Sequence, residues 1–137
     1  MARRSRGREV ALQLLFQRDH NAKISRTALE QFVRDRLAEP TIRAFCLALY
    51  DGVDAHLKDI DTKLAAAAEN WRISRMTTVD RNVLRMGAFE LLHMNDTPAA
   101  VAFDEAIELA RRYGTADSSA FVNGVLDRLK REASLVS

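Results

Sequence analysis

The sequence is poor in the residues that make sharply turned or cross-linked proteins. It holds one cysteine, Cys46, which excludes an internal disulfide and any Cys-cluster zinc site and suits a reducing compartment. It holds two prolines and five glycines, fewer than a sandwich or barrel with many tight turns would use. β-Branched residues are comparatively sparse. No apolar run approaches the ~20 residues that cross a bilayer. The basic N-terminus is not followed by an apolar core and small-residue cleavage site, so a cytoplasmic protein is expected.

What is present favours helices. The 137 residues include 21 alanines, four of them in the run Ala65–Ala68. Hydrophobic residues make up 47% and charged residues 29%, enough for a real core in a chain of one domain's length. No internal repeat or low-complexity linker divides it, so residues 1–137 are expected to form one all-α domain.

The net charge of +2 hides an uneven distribution. Residues 1–36 carry a balance of +5 and the remainder −3, and 17 of the 21 basic residues are arginine. Arg3, Arg4, Arg6 and Arg8 form the sharpest cluster. Arginine's planar fork suits bidentate phosphate contact and base stacking, so the cluster is either a solvated arm or a contact for nucleic acid or an acidic protein.

Six helical segments can be drawn. The first runs from about Ser5 to His20, with Val10, Ala11, Leu14 and Leu15 on one face and Leu12 and Phe16 widening it. Ser25 or Thr27 caps a second carrying Leu29, Phe32, Val33 and Leu37. Pro40 breaks the chain, and the period Ile42, Phe45, Leu49, Val53, Leu57, Ile60, Leu64 predicts one long helix from about Thr41 to Asn70. Gly52 within it marks close helix packing or a bend. Thr77 or Thr78 caps a fourth, ending near Met94. Asn95–Pro98 is a turn leading to a fifth helix that stops at Gly114, read as a C′ residue. Asp117 or Ser118 starts a sixth, with Val122, Val125, Leu126 and Leu129 inward. The expectation is a compact single-domain bundle of about six to seven helices.

Catalytic chemistry is hard to find. Glu90 and His93 make a single Glu-x-x-His pair where a di-iron bundle needs two, and both are expected on a half-exposed face. Asp104, Glu105 and Glu108 complement a helix dipole as readily as they make an acid/base pair. Glycine-rich phosphate loops and a nucleophile elbow are missing, and Cys46 sits on an apolar face. No enzyme, metal or cofactor is expected. Trp71, the single tryptophan, reads as a packing anchor.

Three stretches carry a resemblance: RRSRGREVALQLLFQ from Arg3, WRISRMTTVDRNVLRMGAFELL from Trp71 and VAFDEAIELARRYGTADSSAFVNGVL from Val101. The most specific pieces are VDRNVLR, DEAIELARRYG and FVNGVLD. In order and spacing the chain resembles the NusB family of bacterial transcription antitermination factors over nearly its whole length. It departs in Asp104, where members often carry asparagine, and in Ser5 and Gly7, which interrupt the arginine run.

The resemblance implies an all-helical RNA-binding domain that recognises boxA, a short single-stranded element of ribosomal RNA operon leaders. It implies a partner, the small-subunit ribosomal protein NusE, and entry of the pair into an antitermination complex on RNA polymerase. RNA would lie beside Arg3, Arg4, Arg6 and Arg8, with Phe121 as a stacking platform, Asn123 as an amide for a base edge and Asp117 near the same surface. Phe121 alone reads as core; the resemblance reverses that, because Val122, Val125, Leu126 and Leu129 already supply a buried stripe. Asp80 falls at an implied partner contact, although with Arg81 and Arg85 it also reads as a solvated, mutually paired face. A homodimer of the free protein, hiding the RNA-binding face, is left open. Two alternatives remain: a helical module that targets a ribosomal RNA-modifying enzyme, and a helical DNA-binding regulator reading with its fourth helix. The apolar content of that helix argues against the second.

Overall fold

Seven α-helices and one 3-10 turn form the bundle in the computed structural model, which describes residues 3–69 and 71–136. The helices are α1 (Arg3–His20), α2 (Arg26–Arg36), α3 (Pro40–Ala55), α4 (Leu57–Ala67), α5 (Thr78–His93), α6 (Ala99–Tyr113) and α7 (Ser118–Val136), with the 3-10 turn at Ile73–Arg75. Among the described residues there is no strand, and no helix is long and apolar enough to cross a membrane.

The architecture is built around α5. Every residue from Asn82 to Glu90 is buried, because α1, α3, α4, α6 and α7 all pack against this helix. A helix covered on all sides cannot enter a DNA groove, which removes the DNA-reading alternative for it. Thr77 begins α5 by accepting a hydrogen bond from the Asp80 N–H at 3.1 Å, and Ser25 begins α2 the same way through Ala28.

The stretch read as one long helix is two. His56 leaves helical geometry (φ −109°, ψ 15°) and serves as the end of α3 and the start of α4. The apolar period runs through the break with Val53 and Ile60 both buried, so the periodicity does not mark it, and Gly52 is the one local hint of a bend. Packing decides the bend: α3 lies against α1 and α5, while α4 turns to lie on α5 and α7. Gly52 is the close approach, since a Cβ there would stand 2.1 Å from the Phe89 ring. Gly114 ends α6 in extended rather than left-handed backbone (φ −95°, ψ −161°). What requires glycine there is the crowding of a built Cβ by Ser118, its hydroxyl at 2.3 Å and its Cβ at 2.6 Å, and by the Ala110 carbonyl at 2.7 Å.

Two of the networks that carry charged side chains into the core involve α5. Arg8 grips Glu90 with two hydrogen bonds, both 2.7 Å, and reaches Glu105 at 3.4 Å. Arg85 forks onto Asp61 at 2.9 Å for each bond and meets Asp19 at 3.4 Å; Arg81 and Asn82 also bond Asp19, each at 2.9 Å. Arg81 and Arg85 therefore pair with α1 and α4, and not with Asp80. Glu90 belongs to the interior, not to a half-exposed face, because α1 delivers its cation there.

Candidate nucleic-acid interface

The four N-terminal arginines are the first turns of α1, and they separate into two kinds. Arg3 pairs with Glu39 at 3.2 Å, Arg4 with Asp96 at 3.4 Å, and Arg6 approaches Glu9 at 4.0 Å; all three guanidinium groups stay accessible. Arg4 also lies 4.6 Å from the centroid of Phe45. Arg8 is only 2% exposed. Burial would lower its pKa, but the hydrogen bonds and charge of Glu90, with the charge of Glu105, more than offset this and raise it. Its fork points into the bundle and is occupied, so Arg8 is a structural cation and leaves the phosphate-contact set. The sequence spacing hid this, since Arg8 looks no different from its neighbours.

Arg36, at the end of α2, joins the accessible cations instead. With Arg3 and Arg6 it lines a cleft of about 330 Å³ over Leu37, Glu39 and Ile42. The Arg36 guanidinium lies 3.4 Å from the centroid of Phe32, and Phe32 lines the next depression. That groove, about 340 Å³, runs between Leu12, Gln13, Phe16, Phe32, Val79 and Tyr113. Phe16, expected to widen the buried face of α1, is 43% exposed and stacks on His20 at 4.5 Å.

A third cleft, about 260 Å³, follows from Val79 to Asp80. Trp71, Arg75, Thr77, Asp80, Thr115, Asp117 and Phe121 line it. Trp71 is not a buried anchor: it is 55% exposed and meets the half-buried Phe121 edge to face, with centroids 5.9 Å apart. Glu69, in left-handed backbone at φ 53°, turns the chain out of α4 shortly before Trp71. Asp117 is exposed and starts α7 through its carbonyl, which accepts from the Phe121 N–H at 3.1 Å. The Asp80 Oδ1 atom is buried and has no hydrogen-bond partner among the described residues.

The structure thus gathers Phe121, Asp117 and Asp80 around one cleft, and Arg3 and Arg6 around another with Arg36. Asn123 joins neither group. Two residues on from Phe121 in a helix it points to a different face, where it is exposed. Phe16 follows the spacing of the buried face of α1, and Trp71 and Tyr113 carry no local mark of exposure, so the sequence does not show these three as surface aromatics.

Reactive groups lie elsewhere and are quiet. The Cys46 thiol is fully buried, and burial together with the charge of Asp51 pushes its pKa up to about 12, so it stays protonated. His56 and His93 stack at 4.3 Å beside Phe89, and among the described residues no His, Cys, Asp and Glu cluster has the makeup to hold a metal ion.

Comparison with known proteins places this geometry in context. The model of the NusB family matches residues 5–131. The transcription antitermination protein NusB of Sorangium cellulosum is 46% identical over 129 residues, covering 94% of this chain and 92% of the relative. That of Geobacter sulfurreducens is 43% identical over 132 residues, covering 94% of each. Among solved structures, T. maritima NusB superposes with a TM-score of 0.84 at 37% identity, covering 96% of this chain and 92% of that one. A chain in the crystal structure of antitermination factors NusB and NusE in complex with dsRNA superposes with a TM-score of 0.86 at 23% identity, covering 96% and 98%, a likeness of fold.

Proposed function

The chain belongs to the NusB family, and from that premise we propose that it is a transcription antitermination factor that binds boxA-type single-stranded RNA of ribosomal RNA operon leaders. It does so together with the ribosomal protein NusE, and the pair joins the antitermination complex on RNA polymerase in the cytoplasm. It is an adaptor and not an enzyme, and residues 1–137 act as one RNA-binding helical domain.

One observation carries the reading: the three clefts are neighbours, with Arg36 of the first lying over Phe32 of the second and Val79 of the second preceding Asp80 of the third, and we read them together as a track. Cations come first, in Arg3, Arg6 and Arg36; aromatics follow, in the exposed Phe16 and Tyr113 and the half-buried Phe32; Trp71 and Phe121 end it beside two carboxylates. A single strand offers phosphates to the first part and unstacked bases to the rest. Duplex RNA hides its base faces, so the aromatics would find nothing to stack on. Asp117 accepts hydrogen bonds from base edges at the Phe121 end, and Asp80, which lines the same cleft, offers NusE an acidic contact. Asn123 flanks Phe121 from the neighbouring face and contributes only at the track's edge.

The test is a titration of the purified protein with boxA-type single-stranded RNA, a scrambled strand and a duplex of equal charge, each with and without NusE. Preference for the single boxA strand, strengthened by NusE, is expected. Equal affinity for the duplex would overturn the reading.

A further inference from the structure

Glu9 is a carboxylate where the track would be expected to exclude one. Its side chain is only 5% exposed, yet it sits at the junction of the cationic cleft and the aromatic groove. Three groups converge on its Oε2 atom. The Tyr113 hydroxyl donates to it, Arg112 Nη1 lies 3.4 Å away and Arg6 Nη1 4.0 Å away. Arg6 lines the cationic cleft and Tyr113 lines the groove. One buried oxygen therefore ties together side chains from α1 and from the last turn of α6, residues more than a hundred positions apart.

The charge of Glu9 is poorly placed to help an anion bind. Near an incoming phosphate it would repel, and its burial among two cations and a phenol mutes that repulsion. Burying a carboxylate is costly and persists where its partners hold it by good hydrogen bonds. Tyr113 is 41% exposed, and without this tie a ring at the end of a helix would sample several rotamers that binding must then order. Resting on the RNA-binding reading above, we propose that Glu9 is a positioning residue: it holds Tyr113 and Arg112 in place, and so presents the middle of the track preformed to single-stranded RNA.

The tie has its own spectroscopic reporter. Donation to Glu9, then burial, then the charge of Glu9 raise the pKa of the Tyr113 phenol. The chain has two tyrosines, so a Tyr113→Phe variant assigns the signal.

The experiment compares wild type, Glu9→Gln, Tyr113→Phe and the double variant. It uses ultraviolet phenol titration, thermal melts and binding of boxA-type single-stranded RNA. Glutamine keeps the shape and an acceptor oxygen, so folding is retained. In Glu9→Gln the Tyr113 phenol is expected to ionise at lower pH, and RNA affinity to fall about three- to tenfold. The double variant should lose no more than the larger single loss. If Glu9 served only as a countercharge, Glu9→Gln would bind all RNAs more tightly with a steeper salt dependence; that result, unchanged affinity, or fully additive losses would overturn the proposal. Wild type that binds no RNA would sink the RNA reading and this inference together, whereas wild type that binds no better than Glu9→Gln sinks the inference alone.

Discussion

Arg8 and Glu90 stand 82 residues apart in the chain and face each other as a two-bond fork in the core, with nitrogen–oxygen distances of 2.7 Å in both arms. The pair divides an arginine cluster that is uniform in composition. Arg8→Ala leaves a buried carboxylate without its cation and is expected to cost about 3–5 kcal/mol. The triple change of Arg3, Arg4 and Arg6 to alanine removes two exposed pairs, with Glu39 and Asp96, worth under about 1 kcal/mol each. It also removes the long 4.0 Å approach of Arg6 to Glu9, which keeps Arg112 and Tyr113. Denaturant melts measure this contrast directly. If Arg8→Ala melts like wild type, the fork is not a structural element.

The same triple variant should change the salt dependence of RNA binding. Three phosphate contacts correspond to a log-log slope of roughly −2 for a single strand. The variant is expected to flatten that slope and to weaken all single-stranded RNAs about equally. A slope that stays as steep as wild type would place the phosphates elsewhere.

Asp19 sets an acid limit on stability. Burial alone would raise its pKa, but hydrogen bonds from Asn82 and Arg81 and the charges of Arg81 and Arg85 lower it below the ordinary value. A carboxyl whose folded pKa is depressed stabilises fully above its unfolded value, about 4, and loses that contribution as pH falls through the folded value. Asp19→Asn should therefore lower the thermal midpoint at pH 7, with the difference from wild type shrinking below about pH 4. A constant difference across that range would remove the charge from the explanation.

Phe121 and Trp71 supply a test with a built-in signal. Phe121 is half-buried, so Phe121→Ala is expected to cost about 1–2 kcal/mol, less than the ~3–5 kcal/mol of a full core position. The loss of one stacked base would weaken RNA by ~1–3 kcal/mol, about five- to 150-fold, and Phe121→Tyr should stay close to wild type. Trp71 is the only tryptophan and touches Phe121, so its fluorescence should change as RNA binds. A full core-sized stability loss with no specific loss of binding would return Phe121 to the core.

Asp80→Arg tests the acidic contact proposed for NusE. The substitution reverses charge in the first turn of α5, where an acid is locally favoured by up to ~1 kcal/mol, so the melt must accompany the binding assay. Weakened NusE association with an intact helical circular dichroism signal is expected. Because Asp80 shares its cleft with Phe121, RNA affinity measured without NusE shows whether the effect belongs to the protein partner or to the strand.

The residues themselves determined the helices and most of their ends. Alanine content and the three- and four-residue spacing of apolar side chains specify helix from local geometry alone, and Ser25, Thr77 and Pro40 mark starts through groups within three residues of each. Tertiary structure alone decided which face of each helix is covered, because that depends on neighbours distant in the chain. It bent the Thr41–Asn70 stretch at His56 without breaking its period, sent Arg8 inward to Glu90 while Arg3 and Arg6 stayed out, and left Trp71, Phe16 and Tyr113 at the surface. A period of 3.6 states that a helix has two sides; only packing states which side meets water, and that decided the placement of Arg8, Phe16, Trp71 and Tyr113.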